Sequence, residues 1–201
     1  MPFNLVELMK GFLLNPVESF QKARETSLTA AYQYYVVLLL FFSIFFGIVM
    51  YLQMNPLIPI MTAIPGMSEL GGFINAIFAQ LSILTVYAVF FIGLFSIFIS
   101  GLYYHVFVTL LGGEEGVVQT MKTVMYANTP ALLIGWIPFI GIIGAIWSLV
   151  LFIIGIREMQ KVSLLAAVLI FLVPTILVCG MVFIVMMMFM TIIGMFAAIA
   201  A

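Results

Sequence analysis

The chain has 201 residues, 66% of them hydrophobic and only 6% charged, with a mean hydropathy of +1.37. So short a chain has no soluble core able to bury that much apolar surface, whereas a bilayer solvates it directly. Six lysines and arginines against seven acids, net −1, with no basic run, exclude nucleic acid as a partner.

Residues 1–30 are amphipathic. Phe3, Leu5, Val6, Leu8, Met9, Phe12 and Leu13 form a broad apolar face, with Glu7 and Lys10 elsewhere, which predicts a short helix lying on the membrane surface. Asn15-Pro16-Val17-Glu18 reads as a second helix start, with Asn15 as cap, Pro16 at the first helical position and Glu18 as the capping-box acid. Glu7 and Lys10 interrupt the first apolar stretch and no small-residue cleavage site follows it. The run 32–54 is therefore expected to serve as an uncleaved signal-anchor and first span. In the connection after it, Pro56, Pro59 and Pro65-Gly66 are expected to exclude helix.

The second span, about 75–111, lies in an apolar stretch that as one helix from Phe73 would be roughly 58 Å long, beyond the hydrocarbon thickness. Gly112-Gly113 ends it. The third and fourth spans, about 120–137 and 140–156, are short and meet at Trp136-Ile137-Pro138-Phe139, an outer turn with an interfacial Trp. Lys122 is expected to snorkel from the other end of the third. A re-entrant hairpin would give the same charge pattern; full crossing is the preferred reading. Arg157-Glu158-Met159-Gln160-Lys161 reads as a compact inner loop. The rest, with a span at about 162–190, is apolar and uncharged. One long span kinked at Pro174 is preferred there over a hairpin at Cys179-Gly180, which has no polar turn residues.

All six cations (Lys10, Lys22, Arg24, Lys122, Arg157 and Lys161) then fall on one side of the membrane. By the positive-inside rule the amino end is cytoplasmic and the carboxyl end outside. The expected architecture is all-α: a polytopic integral membrane helical bundle. It has five transmembrane helices, an N-terminal amphipathic interfacial helix in a cytoplasmic segment 1–30, and a membrane domain 31–201.

Little in these spans carries chemistry. There is no aspartate, and all seven glutamates lie at predicted loops or helix starts, so no carboxylate sits at depth for ion coupling. His105, the only histidine, belongs to an interfacial aromatic belt with Tyr103 and Tyr104. The lone Cys179 leaves the redox compartment undetermined. The methionines at 181, 186, 187, 188, 190 and 195 point around the whole last helix, as lipid-facing packing does, in place of the single soft-metal face that Cu(I) would require. No catalytic set, phosphate loop or zinc spacing is present, so neither enzymatic activity nor a cofactor is expected.

The candidate packing or partner notch comprises Tyr126, Asn128, Thr129 and Pro130, where the proline releases a carbonyl. It also takes in Gly141, Gly144 and Ala145, where small residues let helix backbones approach. A second polar notch, of Thr85, Ser96, Ser100, Asn128 and Thr129, would serve a small channel, permease or lipid-moving protein if its members share one cavity.

Three features carry a family resemblance. They are Asn15-Pro16 with Phe20 ahead of span one; Gly112-Gly113-Glu114-Glu115-Gly116 followed by Tyr126-Ala127-Asn128-Thr129-Pro130; and Trp136-Ile137-Pro138 through Trp147 to Gly155-Ile156. On these the chain resembles the YIP domain family of small five-span proteins, whose eukaryotic members interact with Ypt/Rab GTPases. Its amino-terminal segment lacks the acidic Asp-Leu-Tyr-Gly-Pro element of those members, so Rab binding is not implied. The resemblance implies a prokaryotic-type member and a non-enzymatic scaffold, accessory or membrane-organising role. A protein partner or a second copy is then expected in a cell (plasma) membrane.

Overall fold

The structure, a computed structural model, describes residues 4–52 and 57–200, and among them all regular structure is helical. Asn4 opens α1 (Leu5–Leu14) by accepting a hydrogen bond from the Glu7 N–H at 3.3 Å. The chain turns at Asn15, and Pro16, whose missing N–H costs nothing in a first turn, opens α2 (Pro16–Ala23). The expected capping box does not form. Asn15 makes no side-chain cap bond, and Glu18 pairs with Lys22 one turn on, at 2.6 Å.

The two N-terminal helices also pack on the bundle. Phe12 and Phe20 are fully buried, meet edge to face with ring centroids 5.0 Å apart, and belong to the protein core. Only Leu5, Leu8 and Met9 join Phe12 against the bundle, while Val6 and Leu14 stay exposed. Phe3 of the expected apolar face lies outside the described residues.

The Ser27 hydroxyl oxygen accepts from the Ala30 N–H at 3.1 Å and starts α3 (Leu28–Tyr51) four residues before the expected span, because the cap and not hydropathy sets the start. Positions 53 and 54 of that span lie outside the described residues. The first outer connection holds two helices, α4 (Leu57–Ala63) and α5 (Ser68–Gln80), where proline was expected to forbid them. Pro59 falls in the first turn of α4, where no i−4 bond is lost. Gly66, at φ +82°, makes the turn between the two. The expected second span is likewise divided. A break at Leu81 separates α5, which touches α3, from α6 (Ser82–Leu110), which packs along α3.

The third expected span consists of α7 (Val117–Ala127) and α8 (Thr129–Ile134), broken at Asn128. It lies at the centre of the molecule, against α3, α6 and α9 (Gly141–Gln160). Glycine sets the closeness of α9. A Cβ on Gly155 would fall 2.7 Å from the Phe20 ring and from Thr123 Cγ2, and one on Gly144 would fall 2.8 Å from Ile134 Cγ1. α9 runs four residues past its expected end, so Arg157 to Gln160 are helical and not an inner loop. Met159 and Gln160 are buried because bundle contacts continue that far.

α10 (Leu164–Ala200) is one helix with Pro174 inside it and no turn at Cys179-Gly180. The carbonyl of Pro174 accepts from the Tyr103 hydroxyl of α6 at 3.0 Å. Among the described residues four helices, α3, α6, α9 and α10, are long and apolar enough to cross a membrane by themselves, whereas α7 and α8 are each too short.

Candidate functional site

Polar side chains gather at one end of this apolar bundle, where α2 meets the start of α7 and the end of α9. Lys122 reaches there from the second turn of α7 and is 1% exposed. Its ammonium donates three hydrogen bonds, to the backbone carbonyls of Ala23 at 2.9 Å, Arg24 at 3.0 Å and Thr26 at 2.9 Å. An ammonium has three donors, so all are satisfied, and they are satisfied by the carbonyl end of a helix, where the macrodipole is negative. The expected snorkelling is thus replaced by an internal cap on the α2 terminus.

Around this cap the loops are stitched to one another. Glu115 pairs with Arg24 at 2.9 Å and with Lys161 at 2.6 Å. The Lys161 ammonium, and then Arg24, hold the Glu115 carboxyl below its ordinary value. Glu158 accepts from Gln21 Nε2 at 2.9 Å, and its backbone carbonyl accepts from Arg24 at 3.2 Å. Gln160, buried at the end of α9, donates to the Gly116 carbonyl and to Thr120 Oγ1, both at 2.9 Å, and accepts from the Glu115 N–H at 3.1 Å. Thr120 Oγ1 also lies 3.0 Å from His105 Nδ1. The histidine thus ties α6 to α7 by a local hydrogen bond.

One level deeper lies an aromatic nest. Phe12 stacks on Tyr126 with ring centroids 4.4 Å apart, and the Tyr34 ring lies 5.4 Å from that of Tyr126. The hydroxyls of Tyr34 and Thr129 are 2.9 Å apart, and Thr129 donates to the Tyr126 carbonyl at 2.6 Å. The helix break above Pro130 is filled from two directions. Asn128 Nδ2 donates to the Val124 carbonyl at 2.7 Å, and the Ala131 N–H donates to Ser148 Oγ of α9 at 3.0 Å.

Tyr126, Asn128, Thr129 and Pro130 therefore meet at one place, with Gly144 packed on Pro130 and Gly141 on Gly135. Ala145 does not join them: it is exposed, although it lies one turn beyond Gly141. The packing stripe is Gly141, Gly144, Ser148, a helical face, in place of the Gly141–Ala145 spacing read from the sequence. The residues of the second polar notch do not converge. Thr85 donates to the Leu81 carbonyl at 3.0 Å and Ser96 to that of Gly93 at 3.4 Å, each on its own helix. Gln119, Thr120 and Gln160 were not singled out from the sequence. Nothing in their spacing marks them, because three of their partners are backbone groups.

A bundle of long apolar helices whose polar groups are engaged at one end defines a multi-pass helical membrane protein. A family model for the Yip1 domain matches residues 10–187, and the chain belongs to that family. No curated protein and no solved structure matches it.

Two outcomes follow from the polar end. Lys122→Met keeps the stem and deletes the ammonium, leaving buried carbonyls unpaired. Thermal unfolding of the detergent-solubilised protein should show a loss of about 1–3 kcal/mol, against a few tenths for Lys22→Met at the exposed pair. A Glu115 carboxyl held low contributes stability that is present above its ordinary value of 4.5 and lost as pH falls through its folded value. The melting temperature should accordingly drop on acidification below that value, and Glu115→Gln should flatten this part of the profile.

Proposed function

We propose that this chain is a non-enzymatic scaffold or accessory subunit of the Yip1 type that organises its membrane through a protein partner or a second copy. The observation that carries the reading is the contrast between the two kinds of surface. At the polar end Lys122, Gln160, Thr120 and Glu115 are engaged with backbone and with one another. The largest exposed surfaces are uninterrupted apolar helix faces, such as Ile83, Phe91, Phe95 and Ile99 on α6 and Leu165, Ile176 and Phe183 on α10. Faces of this kind serve lipid and helical partners. The hydroxyls that a channel needs are turned back onto their own helices, which lends that alternative no support.

In this reading the membrane is crossed five times, with the amino end cytoplasmic and the carboxyl end outside, in a plasma membrane. Lys22, Arg24, Lys122, Arg157 and Lys161 gather at one end of the bundle, which supports that orientation. The tandem α7–α8, roughly 27 Å from 117 to 134, lies beside α9, which at 20 residues is roughly 30 Å and matches the hydrocarbon core.

Blue native electrophoresis in mild detergent is expected to show a species larger than one chain or a co-purifying protein. A strict monomer with no companion overturns the scaffold reading. Single cysteines at Glu69 and at Glu114, in a Cys179→Ser background, are expected to label from opposite sides of the membrane, and labelling from the same side sinks the five-span topology.

A further inference from the structure

The first two helices are held in opposite ways. α2 is fixed by polar contacts: its carbonyl end by Lys122, Gln21 by Glu158, and the adjoining Arg24 by Glu115. α1 has nothing comparable. Among the described residues its hydrogen bonds stay within the helix or reach its own caps, Asn4 and Asn15, and no ion pair includes Glu7 or Lys10. Its attachment is apolar, through Phe12 on the Tyr126 ring, assisted by Leu5, Leu8 and Met9.

Between the two helices stands Asn15, at φ −132° and ψ 61°, outside the helical region and without a side-chain bond. It is followed by a proline that fixes where α2 begins. An apolar attachment is the kind for which a bilayer substitutes, because lipid at the interface solvates the same side chains. A helix of ten residues is also too short to hold itself once released.

From this asymmetry we propose that α1 is a lid. It pivots at Asn15, leaves the bundle as one unit while α2 stays latched, and uncovers the ring faces of Phe20 and Tyr126 beside the hydroxyl pair of Tyr34 and Thr129. What it covers is the level of the helix break at Asn128, where the bundle centre lies under one movable segment. The proposal stands apart from the scaffold reading, since it concerns how this end opens and not what docks on α6 or α10.

Hydrogen exchange followed by mass spectrometry on the whole chain in lipid nanodiscs tests it. Amides 9–15 are expected to exchange together, at least about tenfold faster than amides 20–23 of α2. Phe12→Leu should speed the exchange of 9–15 alone. The geometry also provides a lock: an ideal Cβ on Gly11 falls 3.7 Å from Ser19 Cβ, within disulfide reach. In a Cys179→Ser background, oxidised G11C/S19C protein should bring 9–15 to the rate of α2, and reduction should restore fast exchange. Equal protection of α1 and α2 overturns the lid, as does a gradient that merely frays from the amino end. So does a staple without effect, or a Phe12→Leu protein in which α2, α3 and α7 loosen too.

Discussion

One buried ammonium determines how the two halves of this molecule meet. Lys122 brings a full charge into an apolar bundle, where an unpaired ion costs several kcal/mol, and no carboxylate among the described residues pairs with it. It is neutralised by geometry: three carbonyls at the end of α2 and in the turn to α3 converge on its three protons. That requirement fixes α2 above α7, and with it the rest of the arrangement. Phe20 is thereby placed where α9 must carry glycine, at Gly155, and Ser27 where it caps α3. The Tyr126 ring is placed under Phe12. Packing alone leaves helices free to slide by fractions of a turn; three directed hydrogen bonds to one side chain do not.

The same end explains why cations here do not form a binding patch. Arg24 and Lys161 share Glu115, Lys22 is paired with Glu18, and Arg157 lies beside Glu158. Lys22, Arg24, Lys122, Arg157 and Lys161 each have an acid or a carbonyl beside them, so these charges are largely compensated within the fold. Positive residues can mark the cytoplasmic side by their effect during insertion and still be largely compensated in the folded protein.

What the sequence discloses follows from which physics is local. The apolar runs that became α3, α9 and α10 are visible because a bilayer demands them, residue after residue. Where α3 begins was not visible in hydropathy, since Ser27 starts it through one hydroxyl. The break at Leu81 has no proline or glycine to announce it. Pro59 misled because a proline's effect depends on how far into a helix it falls, which is known only once the start is known. At the site, the Tyr126–Pro130 stretch stands out through its proline, but Gln160 sits in the charged run 157–161 that reads as an inner loop. It is nevertheless buried, its amide groups being matched to Gly116, Thr120 and Glu115. Partners that are backbone atoms leave no trace in residue identity, and Lys122 is the clearest instance.

The overlong helices have a consequence for the lipid itself. α6, at 29 residues, is roughly 44 Å long, and α10, at 37, is roughly 56 Å. To fit inside a hydrocarbon layer of roughly 30 Å by leaning alone they need inclinations of roughly 47° and 57°, steeper than the 0–40° that spanning helices adopt. α9 beside them, at 20 residues or roughly 30 Å, matches that thickness without leaning. One chain therefore asks its annular lipids for two thicknesses at once. Apolar helices of such unequal length, side by side, meet a layer of any single thickness unequally.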